Sequence, residues 1–297
     1  MRRVWLALLI ASLGWGTAGV ATRVVLDEGV GPYTVAALRS ALAAVVVVVF
    51  LVARRSGLPR SPEAWKVGLA MGISNLAIPY VFSTIALQYA SAGFLGLTTA
   101  LIPLFTALLA HLALADERLS TMKVAGLILG FAGVAALLGS GDSGLAGGGK
   151  PVVAGLLSLV AVASIAVGGV YAKHHAGAYQ PLEVTGVHFV SGSIVIVAAM
   201  LIVEGASPGP SGKAWVLLGY MAVFTTFLPF VLYYWMLRSV SATFASIAGY
   251  LVPPIAVISG MVFLDERLQP GIVLGGLLIL AGVLVTDRAE RRVRVRP

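Results

Sequence analysis

Apolar residues run along this chain in blocks of about 20, the length a helix needs to cross the hydrocarbon core of a bilayer. The blocks recur almost end to end, and the polar clusters between them are only a few residues long, which leaves no room for a water-soluble domain. The pattern predicts ten spans. The first five are Val4 to Leu26, Tyr33 to Ala53, Trp65 to Leu87, Ser91 to Leu114 and Ser120 to Gly139. The second five are Pro151 to Lys173, Gln180 to Val203, Lys213 to Met236, Ser241 to Leu264 and Gln269 to Thr286.

Composition agrees with lipid as the solvent. With 59% hydrophobic and 11% charged residues over 297 positions, the chain has too little polar surface to cover a water-soluble globule. The net charge of +8 does not mark a nucleic-acid binder, because the basic residues alternate between connections instead of gathering on one face. With the N-terminus in the cytoplasm, fifteen Lys and Arg residues fall inside and four (Arg23, Lys150, Lys213 and Arg267) outside, with Arg39 left in a span. That bias places both termini in the cytoplasm and the protein in the cytoplasmic (inner) membrane. Met1-Arg2-Arg3 ahead of an apolar run resembles a secretory leader, but the run is long enough to span and has a counterpart in the second half. Cysteine is absent, so neither disulfides nor thiol chemistry enter the reading.

Shifted by about 150 residues, the sequence aligns with itself. Gly19 and Arg23 meet Gly169 and Lys173, and Pro32 and Arg39 meet Pro181 and His188. Pro79 meets Pro229, Ser91-Ala92 meets Ser241-Ala242, and Pro103 meets Pro253. Asp116-Glu117-Arg118-Leu119 meets Asp265-Glu266-Arg267-Leu268, each closing one apolar block and opening the next. Two repeats follow, 1–145 and 146–297. Because five spans is an odd number, the second repeat enters the membrane from the opposite side. The expected fold is an all-α membrane protein of ten helices in two inverted five-helix repeats, an organisation that supports two packings of similar energy with a site near midplane.

The two Asp-Glu-Arg-Leu turns, each following a span proline (Pro103 and Pro253), carry a resemblance to the drug/metabolite transporter superfamily, and in particular to its EamA-type branch. Trp15-Gly16-Thr17, Arg39 and Leu251-Val252-Pro253 add to it, and the likeness extends over all ten spans. The resemblance implies cytoplasmic termini and export of amino acids or related metabolites. One residue more separates Pro103 from Glu117 than Pro253 from Glu266. The smaller four-span multidrug members use a glutamate in their first helix, and Ala7 to Ala21 contains no carboxylate.

Polar groups deep in a span should face protein or a water-filled path. Asn75 is the one asparagine, midway along span three and a turn before Pro79. It is either a substrate contact or an interhelical clamp. Pro79, Pro103, Pro229 and Pro253 each remove a backbone hydrogen bond within a span, and their pairing between repeats points to cavity lining and hinges, with ordinary kinks as the alternative. Trp15, Tyr80, Thr99, Tyr171, Tyr233 and Tyr250 are the substrate-contact candidates; Tyr and Trp near span ends serve equally as interface anchors. Arg39 can pair with a substrate carboxylate or bond helix carbonyls, and the second role is the simpler. His188, its repeat partner, offers proton coupling or a packed ring. Gly126-x-x-x-Gly130 and Gly271-x-x-x-Gly275 permit close helix approach, within one chain or across a homodimer.

No metal-ligand spacing, cofactor motif or nucleophile with a base is present, so no cofactor or enzyme activity is expected. The expected partners are a small-molecule substrate and the lipid bilayer, with no nucleic acid, for a monomer or homodimer. A secondary transporter working by alternating access is the leading reading; a channel-like facilitator or a drug exporter shares the architecture. Reporter fusions after Asp116 and after Asp265 are expected to lie on opposite sides of the membrane. Both on one side would break the inverted arrangement.

Overall fold

The computed structural model describes residues 2–55, 59, 61–113, 119–175, 181–205, 209–239 and 247–294, except the side chains of 181–183, 233–234, 237–239, 247–250 and 289–294. Every regular element among these residues is helical. Helix α1 is Arg2–Asp27, α2 Pro32–Ala53, α3 Pro62–Ala86, α4 Ala92–Ala113 and α5 Thr121–Gly139. Helix α6 is Pro151–His174 and α7 Pro181–Val203; α8 runs through Gly212–Tyr220, Met221–Phe227 and Leu228–Ser239; α9 is Ile247–Leu264 and α10 Pro270–Arg294. Among the described residues nine helices are long and apolar enough to cross a membrane, and α9 contributes a shorter apolar stretch, Leu251–Leu264.

Sequence sets the helix starts. Pro at the first turn of α2, α3 and α6 loses no bond the helix would have made. Ser61, Ser91, Ser120 and Ser211 cap α3, α4, α5 and α8 through their hydroxyls. Helix α9 ends where Asp265 turns into the left-handed region with φ 51°, and the amide of Glu266 then donates back to the Gly260 carbonyl. The first Asp-Glu-Arg-Leu turn lies outside the described residues except for Leu119.

Corresponding helices of the two halves pack directly on each other: α2 on α7, α4 on α9 and α5 on α10. Helix α1 packs on α8 and α9, and α6 on α3 and α4. The crossing of α5 with α10 is backbone on backbone. A Cβ on Gly282 would stand 2.5 Å from the Gly130 nitrogen and 2.6 Å from the Gly126 carbonyl oxygen, and one on Gly133 2.8 Å from the Gly275 carbonyl oxygen. The small residues of spans five and ten therefore serve packing within the chain. Gly271 stands apart from this contact, against Ser140 and Asp142.

The proline pairs differ. Pro79 and Pro229 each follow a wide π-helical turn, Gly72–Ala77 in α3 and Met221–Phe227 in α8. Pro103 follows a break at Ala100 and Leu101, where amides bond three residues back, to Leu97 and Thr98. Helix α9 instead stays helical through Pro253 and Pro254, with Ala256 and Pro253 facing Gly96 of α4.

Gly282→Ala is expected to push α10 off α5 and cost about 1–3 kcal/mol, the range for overpacking a close contact. Gly139→Ala, where a Cβ meets nothing within 4 Å, should be neutral or slightly stabilising. Thermal unfolding in detergent checks both, and equal midpoints for the two variants would remove the crossing from the forces holding the fold.

Candidate functional site

A proline ring crowds the carbonyl four residues earlier and supplies no N–H. In α3 and α8 the helix meets that demand by widening one turn just ahead of the proline, so that the Ile78 amide donates to the Ile73 carbonyl and the Leu228 amide to that of Val223, five residues back. Such π turns change which side chains leave the helix on a given face and recur at functional sites.

Here they gather polar groups within the bundle. Arg39 of α2 donates from Nε to the Thr226 hydroxyl at 3.3 Å, and from Nη2 to those of Thr225 at 3.2 Å and Thr226 at 3.3 Å. Its guanidinium lies 4.3 Å from the centroid of the Tyr80 ring, an approach at which the ring face attracts a cation. The Tyr80 hydroxyl meets Thr226 at 3.3 Å. One turn along α8, Phe230 stands edge-on to Trp15 at 5.8 Å and to Phe189 at 5.6 Å, and His188 is 6.5 Å away. His188 is buried and its Nε2 finds no partner. Tyr80, Phe189, Phe230 and the residues beside them belong to one apolar cluster, so a single site combines α1, α2, α3, α7 and α8.

The other candidates are placed elsewhere. Asn75 lies half-buried in the π turn of α3, its Oδ1 unpartnered, where a Cβ on Gly168 of α6 would meet that oxygen. Next to it Ser164 of α6 donates to the Ser74 carbonyl at 2.8 Å. Thr99 bonds its own helix at Gly96. Tyr171 stacks on His175 at the end of α6, with centroids 4.4 Å apart. Pro79, Pro229 and Pro253 are buried, whereas Pro103 is exposed to a cavity of about 240 Å³ between α4, α5 and α6, lined also by Thr106, Lys123, Gly169 and Lys173. The side chains of Tyr233 and Tyr250 lie outside the described residues.

Away from that cavity, the connections α1–α2, α3–α4, α5–α6, α7–α8 and α9–α10 meet at one end of the bundle and are stitched together. Glu204, at the end of α7, accepts from the amides of Tyr33 and Thr34 at 2.9 and 2.8 Å and from the Thr34 hydroxyl at 2.7 Å. Gly31 makes room for it, since a Cβ there would meet the carboxylate. Glu266 does the same for α4, accepting from the amides of Ala92 at 2.5 Å and Gly93 at 3.0 Å. Both carboxylates complement the positive end of a helix of the other half. Ser91 to Ser143, Lys150 to Tyr89 and Arg267 to Gly144 add backbone bonds across this end. Lys213 pairs with Glu28 at 2.7 Å and holds that carboxyl below its usual range, in an exposed contact that salt screens.

Sequence reasoning missed Phe230, Phe189 and the two capping carboxylates. Glu266 carried a signal, the repeated turn, but its partner 174 residues earlier did not.

A bundle of apolar helices with a polar site enclosed among spans of both halves is the form of a multi-pass membrane transporter. The chain belongs to the EamA-like transporter family, which matches it over residues 2–139 and again over 153–286. It is 26% identical to the uncharacterized transporter YoaV of Bacillus subtilis (strain 168) over 99% of this chain and 100% of that one. It is 27% identical to the uncharacterized inner membrane transporter YedA of Escherichia coli (strain K12), over 94% and 89%, and 27% to a WAT1-related chloroplastic protein of Arabidopsis thaliana, over 96% and 70%. A crystal structure 22% identical in sequence shares the fold, with a TM-score of 0.67 over 98% of this chain and 99% of that one.

Burial is the first cause acting on Glu266 and raises its pKa, against the Gly93 and Ala92 amides, the Arg23 charge and the Ser91 hydroxyl, which lower it. A raised carboxyl contributes stability that is complete below its ordinary value of 4.5 and is lost as pH rises through the raised one. The thermal midpoint of the native chain minus that of Glu266→Gln should therefore fall as pH rises above 4.5. A difference that widens with pH would mean that the amide bonds outweigh burial.

Proposed function

We propose that this protein is a secondary transporter that exports small metabolites, amino acids among them, by alternating access between two inverted five-helix repeats, 1–145 and 146–297. The observation that carries the reading is the site itself. Arg39 and Tyr80 come from the first half, Thr225, Thr226 and Phe230 from the second, and both halves supply a π turn ahead of an aligned proline. A solute held there contacts both repeats, so a change in their packing changes the side from which it is reached.

The packing supports the repeat. Exchanging the halves turns the contacts of α1 with α8 and α9 into those of α6 with α3 and α4, and leaves the α2–α7, α4–α9 and α5–α10 pairs unchanged. The excess of basic residues at the other end of the bundle supports cytoplasmic termini in the inner membrane. On that orientation the stitched end faces outward and the 240 Å³ cavity beside Lys123 and Lys173 faces the cytoplasm. Tyr233 and Tyr250 keep their sequence-based place as substrate contacts.

Purified protein in liposomes is expected to show saturable counterflow for at least one amino acid or related metabolite. Flux that grows without saturation and shows no exchange would favour a channel-like facilitator, and no flux across a broad panel would sink the transport reading.

A further inference from the structure

Arg39 is the cation left within the spans when all other Lys and Arg residues are assigned to connections and helix ends. No acidic residue occupies the middle of a span; all sit at span ends or between them. Among the described residues the Arg39 guanidinium makes no ion pair, and its Nη1 makes no hydrogen bond. Its partners are two neutral hydroxyls at 3.2 to 3.3 Å and an aromatic face, weaker than the short bidentate bonds a guanidinium makes to a carboxylate. The carboxylates of Glu204, Glu266, Asp27 and Glu28 are engaged at the end of the bundle, the first two on helix starts, Asp27 with Arg23 and Glu28 with Lys213.

Arg39 is partly buried, and a charge held within a span without an opposite charge is costly. A purely structural role is served by a group that leaves no donor over, and Arg39 leaves Nη1. Thr225, Thr226 and Tyr80 fix the plane of the fork. One turn away, Phe230 with Trp15 and Phe189 offers apolar faces, and buried His188, its Nε2 unpartnered, lies with its ring 6.5 Å from that of Phe230.

Resting on the transport reading above, we propose that Arg39 is the substrate anchor. A solute with one free carboxylate and a compact apolar body binds with the carboxylate on the guanidinium and the body against Phe230 and Trp15. The guanidinium is then neutralised only while substrate is bound. The same contact ties α2 to α8, and so couples occupancy to the packing of the halves.

The test uses the full chain in detergent and in liposomes, with phenylalanine, leucine and 3-phenylpropionate as probes, each beside its primary amide. The amide keeps the body and removes the charge. At least one acid should raise the thermal midpoint and show counterflow, with its amide weaker by about tenfold or more, as expected for losing a charge-assisted bond. Arg39→Gln should abolish the preference for the acid. Arg39→Lys keeps the charge without the fork, carries the test if the glutamine variant does not fold, and should bind the acid about tenfold more weakly with the amide unchanged. Gly139→Ala, in open space at the end of α5 and away from the site, should bind the acid as the native chain does.

Amides that bind as well as their acids, an Arg39→Lys variant that binds acids normally, or no response to any acid would overturn the anchor. Transport confined to solutes without a carboxylate would overturn it too, yet leave the transporter standing, whereas absence of flux for every solute strikes the transport reading itself.

Discussion

In hydrocarbon no water is available to satisfy a backbone amide or carbonyl, and each one left open costs several kcal/mol. Every described span obeys this by closing its bonds within one helix. Hydroxyls follow the same rule: Ser12, Thr22, Ser74, Thr84, Ser158 and Thr286 each donate to a carbonyl four residues earlier on their own helix. Such side chains add no stray polarity to the bundle. Among the described residues the groups that depart from this pattern are the π turns of α3 and α8, the break before Pro103, Asn75 Oδ1, His188 Nε2, Ser193 Oγ and Arg39.

Rigidity and adaptability are divided among the helices. Where α5 meets α10, glycines bring the backbones into contact, and tight packing leaves little slack. Around the Arg39 site the contacts are side chain to side chain, through long hydrogen bonds and aromatic edges. The stitched end is held by Glu204 and Glu266 on helix starts of the opposite half. These caps can be lost one at a time without unfolding any span, because each helix keeps its internal bonds.

Legibility in the sequence followed the range of the interaction involved. The helical class and the spans were written in local apolarity, since the bilayer fixes span length. Arg39, Tyr80, Trp15 and His188 were legible as candidates because a polar or aromatic residue deep in a span is conspicuous. Their grouping was not. It depends on which faces of α1, α2, α3, α7 and α8 meet, and a helix that is apolar on its exposed face as well as its packed one has no periodicity to reveal its orientation. Phe230 and Phe189 were invisible for that reason, being two phenylalanines among many.

The prolines show the division most clearly. From the sequence alone they are four similar breaks in two aligned pairs. The structure gives them three outcomes: a widened turn before Pro79 and Pro229, an interrupted helix before Pro103, and a continuous helix through Pro253. A proline determines only that one donor is missing and one carbonyl is crowded. How the helix answers is decided by what packs on it, and Pro253 faces Gly96 of α4 where Pro103 faces an open cavity. Likewise the sequence determined that a repeated glutamate closes span nine. Only the tertiary structure decided that it reaches the start of α4, because a partner 174 residues away is fixed by helix packing and leaves no trace in local sequence.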